Sequence, residues 1–175
     1  MARVVASQGY ASSTIADVVR EAGVSRRTFY EHFQTRDDCL IALFEAASDG
    51  ALKVLSAAID PSRGWESQVE QAMAAYLGCL ASNPALLRTL FIEILGLGVP
   101  GLAARRRVNQ SIVDFMLGAI NEPGAAPVLP PDMALAIVGG INELILLAIE
   151  QGRAADLQAV ARTGAALVRA VVASA

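Results

Sequence analysis

The chain has 175 residues, of which 54% are hydrophobic and 18% charged, and its formal net charge is −3. That length fits one large domain or a small domain plus a medium one, and buries a core without disulfides or metal. The apolar fraction excludes a disordered chain, and the mild acidity excludes a uniformly basic nucleic-acid coat. The 33 alanines, with leucine, isoleucine and few aromatics, point to helices. An all-α fold of about nine helices is expected.

The charge is unevenly divided. Residues 1–36 hold five arginines against Asp17, Glu21 and Glu31, whereas residues 37–175 hold nine basic and fourteen acidic groups. A small basic head on an acidic body is the first functional signal. Cys39 and Cys79 have neither metal nor redox spacing and read as reduced, buried thiols. No secretory signal is visible, since the apolar run Val4-Val5-Ala6 is too short. Residues 133–149 are strongly apolar but are interrupted by Asn142 and Glu143 and fall short of the roughly 20 residues that span a bilayer. A soluble, cytoplasmic protein without a cofactor is expected.

Met1 to Gln8 reads as the end of a helix with no start signal, so the first helix reads as truncated. Ser12-Ser13 precede a helix to about Ala22, which Gly23 stops. Ser25 caps a short helix to about Phe33, and Thr35 caps a long one to about Ile59. Asp60 to Gly64 is a loop. Val69 to Leu80 repeat at helical spacing, and Asn83-Pro84 restarts the chain into Leu86 to Leu95. Gly96 to Gly101 is a glycine-proline break, followed by a helix carrying Val108, Ile112, Phe115 and Met116. Residues 121–131 hold four prolines and read as a loop. Two helices, about 132–151 and 154–173, close the chain.

Residues 13–33 have helix-turn-helix grammar. Ile15, Val18, Val19 and Ala22 form an inward stripe, Val24 fills the turn, and Phe29 and Phe33 anchor the second helix. Its opposite face carries Arg26, Arg27, Thr28, Tyr30 and His32. Arginine can donate twice to guanine in the major groove, and hydroxyls reach phosphates or bases. Ser25 opens the helix and offers backbone N–H groups to a phosphate. A structural corner between two packed helices is the competing explanation.

The stretch from Gly9-Tyr10 through Thr14-Ile15-Ala16, Ala22-Gly23-Val24-Ser25 and Tyr30-Glu31-His32-Phe33 closely resembles the TetR family of bacterial regulators. The resemblance covers about residues 9–45. It implies a helix-turn-helix DNA-binding domain at 1–45 and a ligand-binding and dimerisation domain at 46–175. It also implies that Arg26, Arg27 and Thr28 face base edges, that Tyr30 and His32 hold phosphates, and that Thr14 and Arg36 flank the backbone. The family's longer first helix and basic arm are not found before this motif.

In the body, Ile137, Gly140, Ile141 and Leu144 form one apolar stripe and Leu157, Val160, Gly164, Leu167, Val168 and Val171 another. Paired across a two-fold axis they would make a four-helix dimer interface; internal core is the alternative. Met73, Tyr76, Leu77, Phe91, Ile112, Phe115 and Met116 are either pocket walls for a small apolar effector or plain core. Asn142 and Glu143 are polar within an apolar helix and are added to the pocket set, because a buried carboxylate needs a partner. Arg105-Arg106-Arg107 reads as a solvated face or an anion contact.

A homodimeric repressor that binds a double-stranded operator and is released by a small apolar ligand is therefore expected. The alternative is a helical ligand-binding or scaffold protein without DNA binding. An enzyme is not expected, because no triad, metal cluster or phosphate loop is visible.

Overall fold

The computed structural model describes residues 1–60, 62–121 and 128–173. Among them, nine α-helices and one short 3-10 segment are formed, with no strand. Most of the expected 121–131 loop lies outside the described residues, as does Pro61 of the loop before it.

Helix α1, Ala2–Ser12, is kinked at Gly9, whose φ of 74° suits glycine. The Ser13 hydroxyl, fully buried, donates to the Gly9 carbonyl at 2.7 Å and closes the kink. Ser13 is thereby unavailable as a cap, and Thr14 takes that position instead. Its hydroxyl accepts from the Asp17 N–H, while the Asp17 carboxylate accepts from the Thr14 N–H, a capping box that opens α2, Ile15–Ala22. Gly23 ends α2 in the left-handed conformation. Ser25 caps α3, Arg26–His32, and a second capping box between Thr35 and Asp38 opens α4, Arg36–Ala57.

Helices α5, Trp65–Ala81, and α6, Pro84–Phe91, follow, the latter capped by Asn83 and begun by proline. The expected glycine-proline break is more ordered than the composition suggests. Glu93–Leu97 is a 3-10 segment, and α7, Val99–Ile120, already contains Pro100 in its first turn, where a missing N–H costs nothing. Gly101 is buried where α7 crosses the 3-10 segment. A Cβ there would lie 3.0 Å from Leu97 Cβ and 3.1 Å from the Ile94 carbonyl carbon, and closer still to the Ile94 oxygen. The glycine is what allows this crossing. Helices α8, Pro131–Glu150, and α9, Gln158–Ala173, complete the body.

Three apolar clusters organise the chain. Val18, Val19, Phe29 and Cys39 hold α2, α3 and the start of α4 together. Val5, Tyr10 and Leu40 join α1 to α4, with Leu97 of the 3-10 segment packed against them. The large cluster fills the body, where α5 packs along α9, α4 against α5, and α7 against α8. Helix α4 enters all three clusters and runs without a break from headpiece to body. Helix α8, of twenty residues, is longer than the apolar run read from sequence, and long and apolar enough to cross a membrane. In this fold it is a core helix, with Ala134, Ile137, Ile145 and Ala148 buried against its neighbours.

Candidate nucleic-acid interface and effector cavity

Helix α3 is fixed by Phe29, which is buried and has Phe33 at 5.5 Å and Tyr30 edge-on at 5.6 Å between ring centroids. With that ring inward, Arg26, Arg27, Tyr30 and His32 are exposed, and Thr28 is half-buried. Tyr30 is 56% exposed, its ring meeting that of its neighbour Phe29 edge-on. Ser25 accepts from the Thr28 N–H at 3.0 Å and also touches the Thr28 hydroxyl.

The basic excess of the headpiece is largely neutralised in place. Arg3 pairs with Glu21 at 2.5 Å, Arg20 with Asp17 at 2.5 Å, and Arg27 with Glu31 at 3.1 Å. Thr14 and Arg20 together hold the Asp17 carboxyl below the usual carboxylate range, the Thr14 hydrogen bonds contributing most. These pairs are exposed and weak, so a phosphate can replace the carboxylate. Arg26 makes no ion pair or hydrogen bond among the described residues, and it stands at the first turn of α3.

Arg36 is turned inward. Its guanidinium donates to the Tyr10 carbonyl at 3.1 Å and to the Ser13 carbonyl, and it lies 4.0 Å over the Tyr10 ring. Through Nη1 it closes the end of α1 against α4. The Tyr10 hydroxyl donates to the Asp37 carboxylate, and burial, reinforced by that carboxylate, pushes its pKa up to about 12. Sequence reasoning missed Tyr10 and Asp37. The aromatic after Gly9 was their only signal.

In the body a cavity of about 80 Å³ lies between α4, α5, α7, α8 and α9. Met73, Tyr76, Ile112, Phe115, Met116 and Asn142 line it, with Leu55 and Val138 among the residues that sequence did not single out. Leu77 is packed in the core away from this cavity, and Phe91 lines a smaller adjoining one. Glu143 is exposed and lines neither cavity. Its neighbour Asn142 occupies the inward face, and one residue is a 100° turn of the helix. Asn142 is 6% exposed, and its amide donates to Asn109 Oδ1 at 3.1 Å. Tyr76 lines both cavities, and its hydroxyl has no hydrogen-bond partner among the described residues. Burial pushes its pKa up to about 12, so the phenol is a neutral donor across physiological pH.

The two stripes expected at the dimer interface divide. Ile137, Ile141, Leu157, Val160 and Val168 are buried within the chain. Gly164 serves the same internal seam: a Cβ there would meet Ile141 and Met73 at 3.3 Å. These residues are core, because α8 is apolar around most of its circumference and its inner stripe reads like an outer one. Gly140 and Leu167 are exposed beside one another, Leu144 and Val171 are half-buried, and Leu147 is 44% exposed. Of the interface residues read from sequence, Gly140, Leu144, Leu167 and Val171 remain available to a partner, and Leu147, not singled out in the sequence, is exposed on the same helix as Gly140 and Leu144.

The family model for bacterial regulatory proteins of the tetR family matches residues 2–43. The HTH-type transcriptional regulator YxbF of Bacillus subtilis is 29% identical over 77 residues, 44% of this chain and 20% of that protein. The fatty acid metabolism regulator protein of the same organism is 22% identical over 113 residues, 65% of this chain and 57% of that one. The chain thus matches less than two thirds of the length of these curated relatives. In fold it is similar to the transcriptional regulator FadR from Bacillus subtilis, solved with stearoyl-CoA. The TM-score is 0.80 at 18% identity, covering 99% of this chain and 95% of that one. Residues 2–43 are thus similar to the N-terminal segment of the tetR family of bacterial regulatory proteins, and the chain as a whole shares the fold of the solved FadR structure.

Proposed function

We propose that this chain is a DNA-binding transcriptional repressor that acts in the cytoplasm as a homodimer and leaves its operator when a small apolar effector binds. The observation that carries the reading is the exposed face of α3, where Arg26, Arg27, Tyr30 and His32 stand outward on a helix pinned from behind by Phe29. Arg26, Arg27 and Thr28 are the residues for base edges, and Tyr30 and His32 for phosphates. The division between reading head and body falls near residue 45, within α4.

One headpiece covers few base pairs, so specificity calls for two half-sites about one helical turn apart. The outer face of α8 and α9, with Gly140, Leu147 and Leu167, supports pairing across a two-fold axis. The body cavity supports an effector, and the likeness to a regulator solved with stearoyl-CoA favours an acyl compound. Effector and operator would then be coupled through a population shift between two headpiece spacings.

The test is a gel shift of the full chain on the promoter region beside its own gene, at several salt concentrations. A sequence-selective shift that weakens steeply with salt is expected. Equal retention of unrelated DNA, or none, overturns the proposal.

A further inference from the structure

The two cavities of the body meet at Tyr76, Ile112 and Asn142, which line both. The larger is walled almost wholly by apolar side chains. The smaller adds polar groups, Ser48, Asn109 and Arg105. Arg105, Asn109, Ile112 and Met116 succeed one another at helical spacing on α7, so one face of that helix grades from a cation through an amide to hydrocarbon. At 1.5 Å per residue, Arg105 precedes Ile112 by about 10 Å.

Arg105 differs from its neighbours. Arg107 is paired with Glu45 at 2.6 Å, and Arg106 is exposed. Arg105 is half-buried and has no ion pair or hydrogen bond among the described residues. A guanidinium withdrawn from water beside an apolar cavity calls for an anion.

We propose that Arg105 receives the head group of the effector, and that the effector is a single-chain amphiphile carrying its own anion, a free long-chain carboxylate. This rests on the larger cavity being the effector site. The hydrocarbon occupies the cavity lined by Met73, Phe115 and Met116, the neck at Tyr76 and Asn142 offers neutral hydrogen-bond donors, and the carboxylate pairs with Arg105. A coenzyme thioester has no charge at its acyl carbonyl, and its phosphates lie a whole pantetheine arm away, so it leaves the guanidinium at the neck unanswered. The Tyr76 hydroxyl stays protonated to about pH 12 and so adds a donor and no competing negative charge.

Titration calorimetry on the full chain separates the sources, using decanoate, decanol and decanoyl-coenzyme A below their micelle concentrations. Decanoate is expected to bind at least about tenfold more tightly than decanol, the scale of one charge-assisted hydrogen bond. R105Q should bring the two together by weakening decanoate alone, whereas R106Q, at the exposed neighbour, should leave the preference intact. Decanol binding by R105Q also reports that the variant is folded. Tighter binding of the coenzyme thioester than of decanoate overturns the inference while the cavity reading stands. So does a preference that survives R105Q. Failure of all three compounds to bind overturns both.

Discussion

Replacing Gly101 by alanine tests the crossing of α7 over the 3-10 segment. Elsewhere in a helix, Gly→Ala stabilises by about 0.5–1 kcal/mol through helix propensity. Here the new methyl meets Leu97 Cβ at 3.0 Å, the Ile94 carbonyl carbon at 3.1 Å and the Ile94 oxygen closer still. Two of these are backbone atoms, so relief requires the helix or the 3-10 segment to retreat. Overpacking of this kind costs about 1–3 kcal/mol, and the propensity gain offsets only part of it. G101A should therefore lower stability by about 1–2 kcal/mol, equivalent to a fall of about 2–8 °C in Tm for a chain of this size. Gly118 lies on the same helix, and a Cβ added there would meet nothing within 4 Å, so G118A should be neutral to slightly stabilising. Urea denaturation of both variants beside the parent gives the comparison. If G101A is as stable as G118A, the close crossing is not there.

Three further expectations follow from the structure. R26A should weaken operator binding by about 1–3 kcal/mol and relax base preference at one position, read by competition gel shift against single-base variants; equal loss on every sequence makes Arg26 a phosphate contact. L147E, on the exposed outer face of α8, should give monomers of unchanged helix content in sedimentation velocity, and a persistent dimer would move the interface elsewhere. Tyr10 and Tyr76 both have folded pKa values raised to about 12 from the ordinary value near 10. The folded state holds those protons more tightly, so the stability they contribute is complete below about pH 10 and is lost as pH climbs from 10 towards 12. Urea midpoints should fall across that window, and the fall should shrink in Y10F/Y76F; an unchanged slope in the double variant refutes the assignment.

Legibility in the sequence followed the range of the forces involved. Gly23, Ser25 and Thr35 act within one turn of their own helices, and their positions in the fold are those read from the chain. Phe29 and Phe33 at i and i+4 fixed which face of α3 points outward. Arg36 could not be read this way, because its partners Tyr10 and Ser13 lie more than twenty residues back and become neighbours only after α1 docks. Asn142 and Glu143 carried the same polar signal, and only the packing of α8 separates the buried amide from the exposed carboxylate. The stripes of α8 and α9 were ambiguous for a related reason. Helices apolar on more than one face have two candidate interiors, and periodicity does not say which one lies inside a single chain.

The size of the cavity bears on how an effector would act. Pockets that enclose drug-sized ligands span roughly 300–1,000 Å³, and about 80 Å³ is available between α5, α7 and α8. A ligand entering there must therefore part these helices, and a close-packed interior passes such a displacement on to its neighbours. Helix α7 has no slack at Gly101, so movement of α7 bears directly on the 3-10 segment. Leu97 at the end of that segment packs on the cluster of Val5, Tyr10 and Leu40, where α1 and α4 meet. The seam that needs a glycine thus gives α7 its own route from cavity to reading head, beside α4, which lines the cavity and runs into the headpiece. The displacement has only to favour one headpiece spacing over another by about 1–3 kcal/mol to act as a switch. A loosened seam should leave effector binding in place while uncoupling it from operator release, a separation that a simple loss of folding would not produce.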